Sequence, residues 1–331
     1  MHMADAFVTP AVAATMSVAS SIVAGYSIKK VRFEQDAKKI PMMGVMGAFI
    51  FAAQMINFTI PGTGSSGHLC GGLLLSALIG PYAGFLTMIS TLLIQCLLFA
   101  DGGLLALGCN IWNMAFYSCF FGYFCIYQPI LKRGYSKRKI IIASVLGSVL
   151  SLQLGAFSVV LETLASGVAE LPFAKFVTFM QPIHLAIGIV EGLITATVIL
   201  FVYGARPELL DSSVTDNKMS FKQVIIVLTA VVILIGGGLS LVASSNPDGL
   251  EWSVSQVSGA EKVEAAGSIY QSAADIQEAT TVLPDYSFEK KNVGPLGTSF
   301  SGIFGSIVVG FVCFGGCYGF QLFRRKTCSH E

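Results

Sequence analysis

His2 stands beside the amino terminus in "MHMADAFVTP", in a chain of 331 residues that has only four histidines. A free α-amine, the residue-2 amide nitrogen once deprotonated, and the residue-2 imidazole can bind one ion together. They close a five-membered and a six-membered chelate ring and hold three nitrogens near one plane. A fourth in-plane nitrogen completes a square-planar set, the geometry of Ni(II) or Cu(II) rather than of tetrahedral zinc. His68, in the Gly- and Ser-rich stretch "PGTGSSGHLCGG", is the candidate for that fourth position. The expected donors are therefore Met1, His2 and His68. Each histidine also has a structural reading. A terminus is commonly a loose tail, and a lone histidine more often caps a helix or bonds a loop carbonyl than ligates a metal.

Further polar residues are candidates for orienting these donors. His184 and Glu191 lie seven apart in "QPIHLAIGIVEGLITATVILFV", on one helical face about two turns apart. They read as orienting or helix-pairing groups, because the metal plane is already full. Asn57 and Asn110, with Gln54 and Asn113, fall near span ends and can turn a histidine or bond between helices. Ser66 precedes His68 by two residues. Met3 can add a soft thioether near the metal but is expected instead to be exposed without a ligand role, and Asp5 and Asp248 to attract cations or cap helices. With an imidazole of ordinary pKa near 6.5, metal uptake should be low below about pH 6.

These residues must be held by membrane helices. Hydrophobic residues make up 54% of the chain and charged ones 12%, against roughly 45–50% and about 25% in soluble domains. The mean hydropathy is +0.72. The expected fold is an all-α polytopic membrane protein: a bundle of about seven helices, then two further transmembrane helices flanking an external loop. Apolar runs of membrane-crossing length cover residues 9–28, 41–60, 81–100, 104–131, 140–164, 183–203, 224–243 and 296–322, and a shorter run covers 69–80. Counting the short one gives nine crossings. With the amino terminus outside, 16 of the 20 Lys and Arg then fall in internal loops, leaving Lys175, Lys262, Lys290 and Lys291 outside. That asymmetry sets the orientation. It puts the amino terminus and His68 on one side and the carboxy terminus in the cytoplasm, and omitting the short span would destroy it. The first span lacks the basic start of a signal peptide, so Met1 and His2 are expected to survive processing.

A polar stretch over residues 208–223 reads as a cytoplasmic linker between residues 1–207 and 224–331, with residues 244–297 as an acidic external segment. The eight cysteines fall almost entirely in apolar runs and suggest no disulfide framework. A net charge of +1 gives no electrostatic case for nucleic acid. The small residues Ala13, Ser17 and Ser21 with Ser20 and Ala24 permit close helix contact, within the protein or with a partner.

The segments "MHMADAFVTPAV", "PGTGSSGHLCGGLLLSALIGPYAGFLTM", "GCNIWNM" and "HLAIGIVEGLITA" occur in an order that resembles the CbiM/NikM substrate-specific components of energy-coupling factor transporters. "SSNPDGLEWSV" resembles the PDGLE module of the NikN component. The resemblance implies capture of Ni2+, or Co2+, at the outer face of a prokaryotic cytoplasmic membrane. It gives Met1, His2 and His68 as donors, residues 1–207 as the metal-binding domain and 224–331 as the NikN-like module. It also implies a transmembrane coupling component and cytoplasmic ATPases as partners. Family members commonly read Met-His-Ile where this chain reads Met-His-Met. The chain has no Gly-Lys dipeptide and so no GxxxxGK[ST] phosphate loop. Two other readings compete: an intramembrane serine protease using Ser66 of "GSSG" with His184 as base, and a stand-alone cation channel or secondary transporter, against which the lack of a recognisable inverted repeat weighs.

Overall fold

Helix starts are written locally. Pro10 and Pro81 open helices in the first turn, where a missing N–H costs nothing. Ser136 accepts from Lys139 N, and Ser220 with Gln223, like Asp248 with Glu251, forms a reciprocal capping box. The computed structural model describes residues 1–31, 38–168, 171–211, 214, 217–259, 263, 265–288 and 296–328, without the side chains of 320 and 322–328. Arg32, Lys262, Lys290 and Lys291, and the side chains of Arg324, Arg325 and Lys326, lie outside the described residues.

The chain is an all-α polytopic membrane protein. Seven helices among the described residues are long and apolar enough to cross a bilayer: α1 (Pro10–Lys30), α4 (Pro81–Phe99), α5 (Leu107–Leu131), α6 (Lys137–Ala165), α7 (Phe173–Ala205), α8 (Phe221–Val242) and the apolar part of α11 (Leu296–Cys328). Their outward faces carry Val18, Ile22, Leu150, Leu193, Ile233 and Phe311 exposed, as bilayer contact requires. Two short helices follow α8 on the side of the amino terminus, α9 (Gly249–Ser258) and α10 (Ser268–Thr280).

Two expected spans take another form. The run 41–60 is helical only as α2 (Lys39–Gln54), after which β1 (Phe58–Ile60) pairs antiparallel with β2 (Ser65–Gly67). The run 69–80 is helical only as α3 (Gly72–Ile79). Eight residues rise about 12 Å, well short of a hydrocarbon core of about 30 Å. Residues 68–80 nevertheless run from the amino-terminal end toward the opposite one. Gly80 lines a cavity there with Lys38, Tyr135 and Glu208. The non-helical stretch before α3 leaves backbone groups that membrane depth cannot leave bare. Glu191 and Gln54 satisfy them. The Glu191 carboxylate accepts Cys70 N at 2.8 Å and Gly71 N at 3.0 Å, and Gln54 Nε2 donates to Cys70 O at 2.7 Å.

Basic residues gather at that opposite end. Lys38 pairs with Glu208 at 2.7 Å, and Arg206 bonds the same carboxylate. The last two long helices pack on the first bundle through α2. A Cβ added at Gly302 of α11 would stand 2.3 Å from Gly236 O of α8, so the two backbones touch where both residues are glycine. Within the bundle, Ser20 Oγ of α1 donates to Gly108 O at 2.9 Å, so that edge of the small-residue stripe faces the protein's own core while Ser21 stays exposed.

Candidate metal centre

The amino terminus is folded back into the bundle rather than loose. Asn110 Oδ1 accepts Met3 N at 2.7 Å and its Nδ2 donates to Met3 O at 3.1 Å, while Gly103 N also donates to Met3 O at 2.9 Å. Met3 is fully buried, not exposed, because Asn113 Nδ2 meets its sulfur at 3.6 Å. Asp5 accepts Ala106 N at 2.9 Å and so caps the approach to α5, while it also lines an open cavity with His2, Asp101, Asp248 and Glu251. Burial raises the Asp5 carboxyl above its usual range. Thus Gly103 and Ala106 tie Met3 and Asp5 to the α4–α5 connection, and Asn110 ties Met3 to α5 itself.

This clamp brings the Met1 amine to 2.8 Å from His68 Nε2. The rings of His2 and His68 face each other with centroids 5.1 Å apart and planes 22° apart. Neighbouring donors in a square plane of about 2.0 Å bonds lie about 2.8 Å apart. The fourth position of an amino-terminal chelate neighbours both the amine and the residue-2 imidazole; here His68 Nε2 stands beside the amine and its ring faces that of His2. His68 Nδ1 donates to Leu69 O at 2.9 Å. A carbonyl only accepts, so the proton sits on Nδ1 and Nε2 presents its lone pair toward the amine.

His2 is held by two residues outside the expected set, Gln95 and Asp101. Gln95 Oε1 lies 3.3 Å from His2 Nε2, and Asp101 Oδ1 lies 3.2 Å from His2 Nδ1. With the proton on Nε2, given to Gln95, Nδ1 is left bare opposite a carboxylate. A cation between Nδ1 and Asp101 relieves that arrangement, as does a proton on Nδ1 given to Asp101 with the Gln95 amide turned so that its buried NH2 faces the ring. Nδ1 is the nitrogen that the six-membered chelate ring requires. Tyr286 donates to Asp101 Oδ2 at 2.5 Å, locking the carboxylate. Burial lowers the His2 pKa to about 4 against the partial support of Asp101. The seated ring is therefore neutral at pH 6, so the acid sensitivity that His2 contributes comes from protonation of the unseated terminus. Polar Gln95 inside the apolar run "TLLIQCLLF" and Asp101 at its end were signals available in the sequence.

Asp248 caps α9, one of the two roles expected of it, and also reaches the amino terminus. Its Oδ2 accepts the Met1 amine at 2.7 Å. Burial alone would raise its carboxyl, but the ammonium, with His68, overcomes that and holds it well below the usual range. The remaining candidates surround the donors without all touching them. Asn57 lines a cavity of about 160 Å³ that opens onto His2, His68, Asp101 and Asp248. Asn110 acts through Met3, and Glu191 through Cys70 and Gly71. His184 gives Nδ1–H to Met180 O at 2.8 Å, and its buried Nε2 has no partner among the described residues. It lines a pocket of about 10 Å³ with Met1 and His68, room for about one water. Ser66 Oγ donates to Asn246 O at 2.7 Å and also meets Pro247 O, so its hydroxyl points to the carboxy-terminal module and not to a histidine base.

Comparison with other proteins follows the same outline. Residues 2–209 match the family described as the cobalt uptake substrate-specific transmembrane region, and residues 222–322 match the PDGLE domain. A protein of Archaeoglobus fulgidus bearing the NikMN name for fused nickel transport proteins is 35% identical, over 93% of this chain and 95% of its own. The fused nickel transport protein NikMN of Rhodobacter capsulatus is 30% identical over 63% of this chain and 64% of its own. The cobalt transport protein CbiM of Sorangium cellulosum is 32% identical over 54% of this chain and 80% of its own. A crystal structure of a truncated transition metal transporter superposes with a TM-score of 0.54 at 31% identity, covering 62% of this chain and 99% of that one.

Proposed function

The chain belongs to the family of cobalt uptake substrate-specific transmembrane regions, and on that premise we propose that it is the substrate-capturing subunit of an ATP-driven importer of Ni2+ or Co2+. The ion is the cargo. The Met1 amine, the His2 amide and Nδ1, and His68 Nε2 hold it in one plane. The observation that carries this reading is the 2.8 Å approach of the Met1 amine to His68 Nε2, with His2 stacked alongside. Four nitrogens in a plane favour Ni(II) over Co(II) by geometry.

Residues 1–207 form the metal-binding domain, 208–223 a linker and 224–331 a NikN-like module whose segment 244–297 lies outside. The amino terminus faces away from the cytoplasm and the carboxy terminus into it, in a prokaryotic cytoplasmic membrane. Energy comes from other polypeptides, a transmembrane coupling component and cytoplasmic ATPases, since this sequence carries no phosphate loop. The bilayer is its solvent. A Ser66 protease is not favoured, because the Ser66 hydroxyl is bonded to the carbonyls of Asn246 and Pro247. Metal analysis of the purified protein tests the reading. His2→Ala, which removes the imidazole of the chelate and leaves no histidine near the terminus to replace it, should remove the bound nickel from a protein that still inserts. Nickel retained at the unmodified level would overturn it.

A further inference from the structure

Asp248 divides its carboxylate between the two halves of the molecule. Its Oδ1 accepts Leu250 N and Glu251 N, both at 2.8 Å, and so caps α9. Its Oδ2 accepts the Met1 amine at 2.7 Å and stands 3.8 Å from His68 Nε2. The segment bearing it is anchored separately. Ser66 N, two residues before His68, donates to Pro247 O at 2.8 Å, and Ser66 Oγ donates to Asn246 O. With only 14% of its side chain exposed, Asp248 is a carboxylate of the carboxy-terminal module built into the amino-terminal site.

We propose that Asp248 is the positioning residue through which the carboxy-terminal module acts on the metal site: it seats the amino terminus against His68 and orients the Met1 nitrogen for the ion. This rests on the metal-site reading above. The hydrogen bond survives metal binding. A coordinated amine has given its lone pair to the ion but keeps two N–H bonds, one of which stays on Oδ2. The carboxylate then does for the amine what an outer carboxylate does for a metal-bound imidazole. Without it, a terminus that starts ordered would have to be ordered by the ion itself, and binding weakens.

Asparagine separates this role from capping. Asn caps a helix about as well as Asp, and Ser nearly so. In Asn, however, the group replacing Oδ2 is an NH2, which cannot accept from the amine, and Ser is too short to keep both contacts. Nickel(II) alone is titrated calorimetrically into the full chain in detergent, for wild type, Asp248→Asn, Asp248→Ser and His68→Ala. In parallel, labelling of the Met1 α-amine by an acylating reagent is followed by mass spectrometry without metal. We expect both Asp248 variants to bind nickel about 10- to 100-fold more weakly, and the Met1 amine to label faster in both. Should both bind within about twofold of wild type while His68→Ala loses binding, Asp248 is a helix cap only and the inference is overturned with the site intact. Should His68→Ala also bind as wild type, the site reading itself fails. Agreement between the Asn and Ser variants guards against one of them misfolding.

Discussion

Glu191 accepts the backbone N–H of Cys70 at 2.8 Å across 121 residues of sequence, and its second oxygen takes Gly71. The carboxylate thereby completes the non-helical stretch that carries His68 into the bundle. Glu191→Gln puts an NH2 against one of those N–H groups. Bonds to charged acceptors contribute about 1.5–3 kcal/mol each. We expect a lower melting temperature in detergent and weaker nickel binding, with Glu191→Ala worse still. Unchanged melting in both variants would show that the loop stands without this support.

The clamp on Met3 gives a second prediction. Asn110→Ala leaves Met3 N buried without an acceptor, while Met3 O keeps the bond from Gly103 N. An orphaned buried donor costs about 1–3 kcal/mol. That cost should fall on the seating of the amino terminus rather than on the helical bundle. Far-ultraviolet circular dichroism should be unaltered while nickel affinity drops about tenfold, and Asn110→Asp, which keeps the acceptor, should lie between. Wild-type affinity in Asn110→Ala would mean the terminus is held elsewhere.

Much of this was legible beforehand, for physical reasons that differ by residue. Hydropathy found the long helices because a bilayer admits few alternatives. The chelate proposed at Met1 and His2 rests on local covalent geometry, so two residues of sequence suffice to suggest it. The partners of His2 were not legible. Gln95 and Asp101 meet the ring only through the packing of α4 against the folded-back terminus, and one polar residue in an apolar run does not name its partner. Met3 misled for the same reason, since its burial depends on Asn110 and Asn113, over a hundred residues away. The role of Asp248 needs two domains in contact, which no local pattern encodes.

Ser66 supplies a test against the alternative chemistry. Ser66→Ala removes the hydroxyl bonds to Asn246 O and Pro247 O but leaves the backbone bond from Ser66 N to Pro247 O at 2.8 Å. A loss of about 0.5–1.5 kcal/mol is expected from the missing hydrogen bonds, with metal uptake by cells expressing the full transporter within about twofold of wild type. Abolished uptake in a stable Ser66→Ala protein would return the hydroxyl to the chemistry.

The imidazole of His2 fixes a pH dependence whose sign can be worked out. Its pKa falls from 6.5 to about 4 when the terminus is seated, because burial disfavours the cation. Above about pH 6.5 the ring is neutral whether seated or free, and it contributes no slope. Between about 6.5 and 4 the free terminus takes up a proton that the seated one refuses, so acid progressively favours unseating. Asp248 works in a lower range, since its depressed carboxyl stays ionised until the pH is well below 3.8. Burial raises the carboxyls of Asp5 and Glu251, which oppose the trend by favouring the seated state in acid. The difference between wild type and His2→Gln isolates the imidazole from them. Protection of the Met1 α-amine from acylation, measured without metal, should therefore fall relative to His2→Gln as the pH drops from 6.5 to 4.5 and be level from 7 to 8. A difference that stays flat across the whole range would mean that the ring is not buried in the seated state.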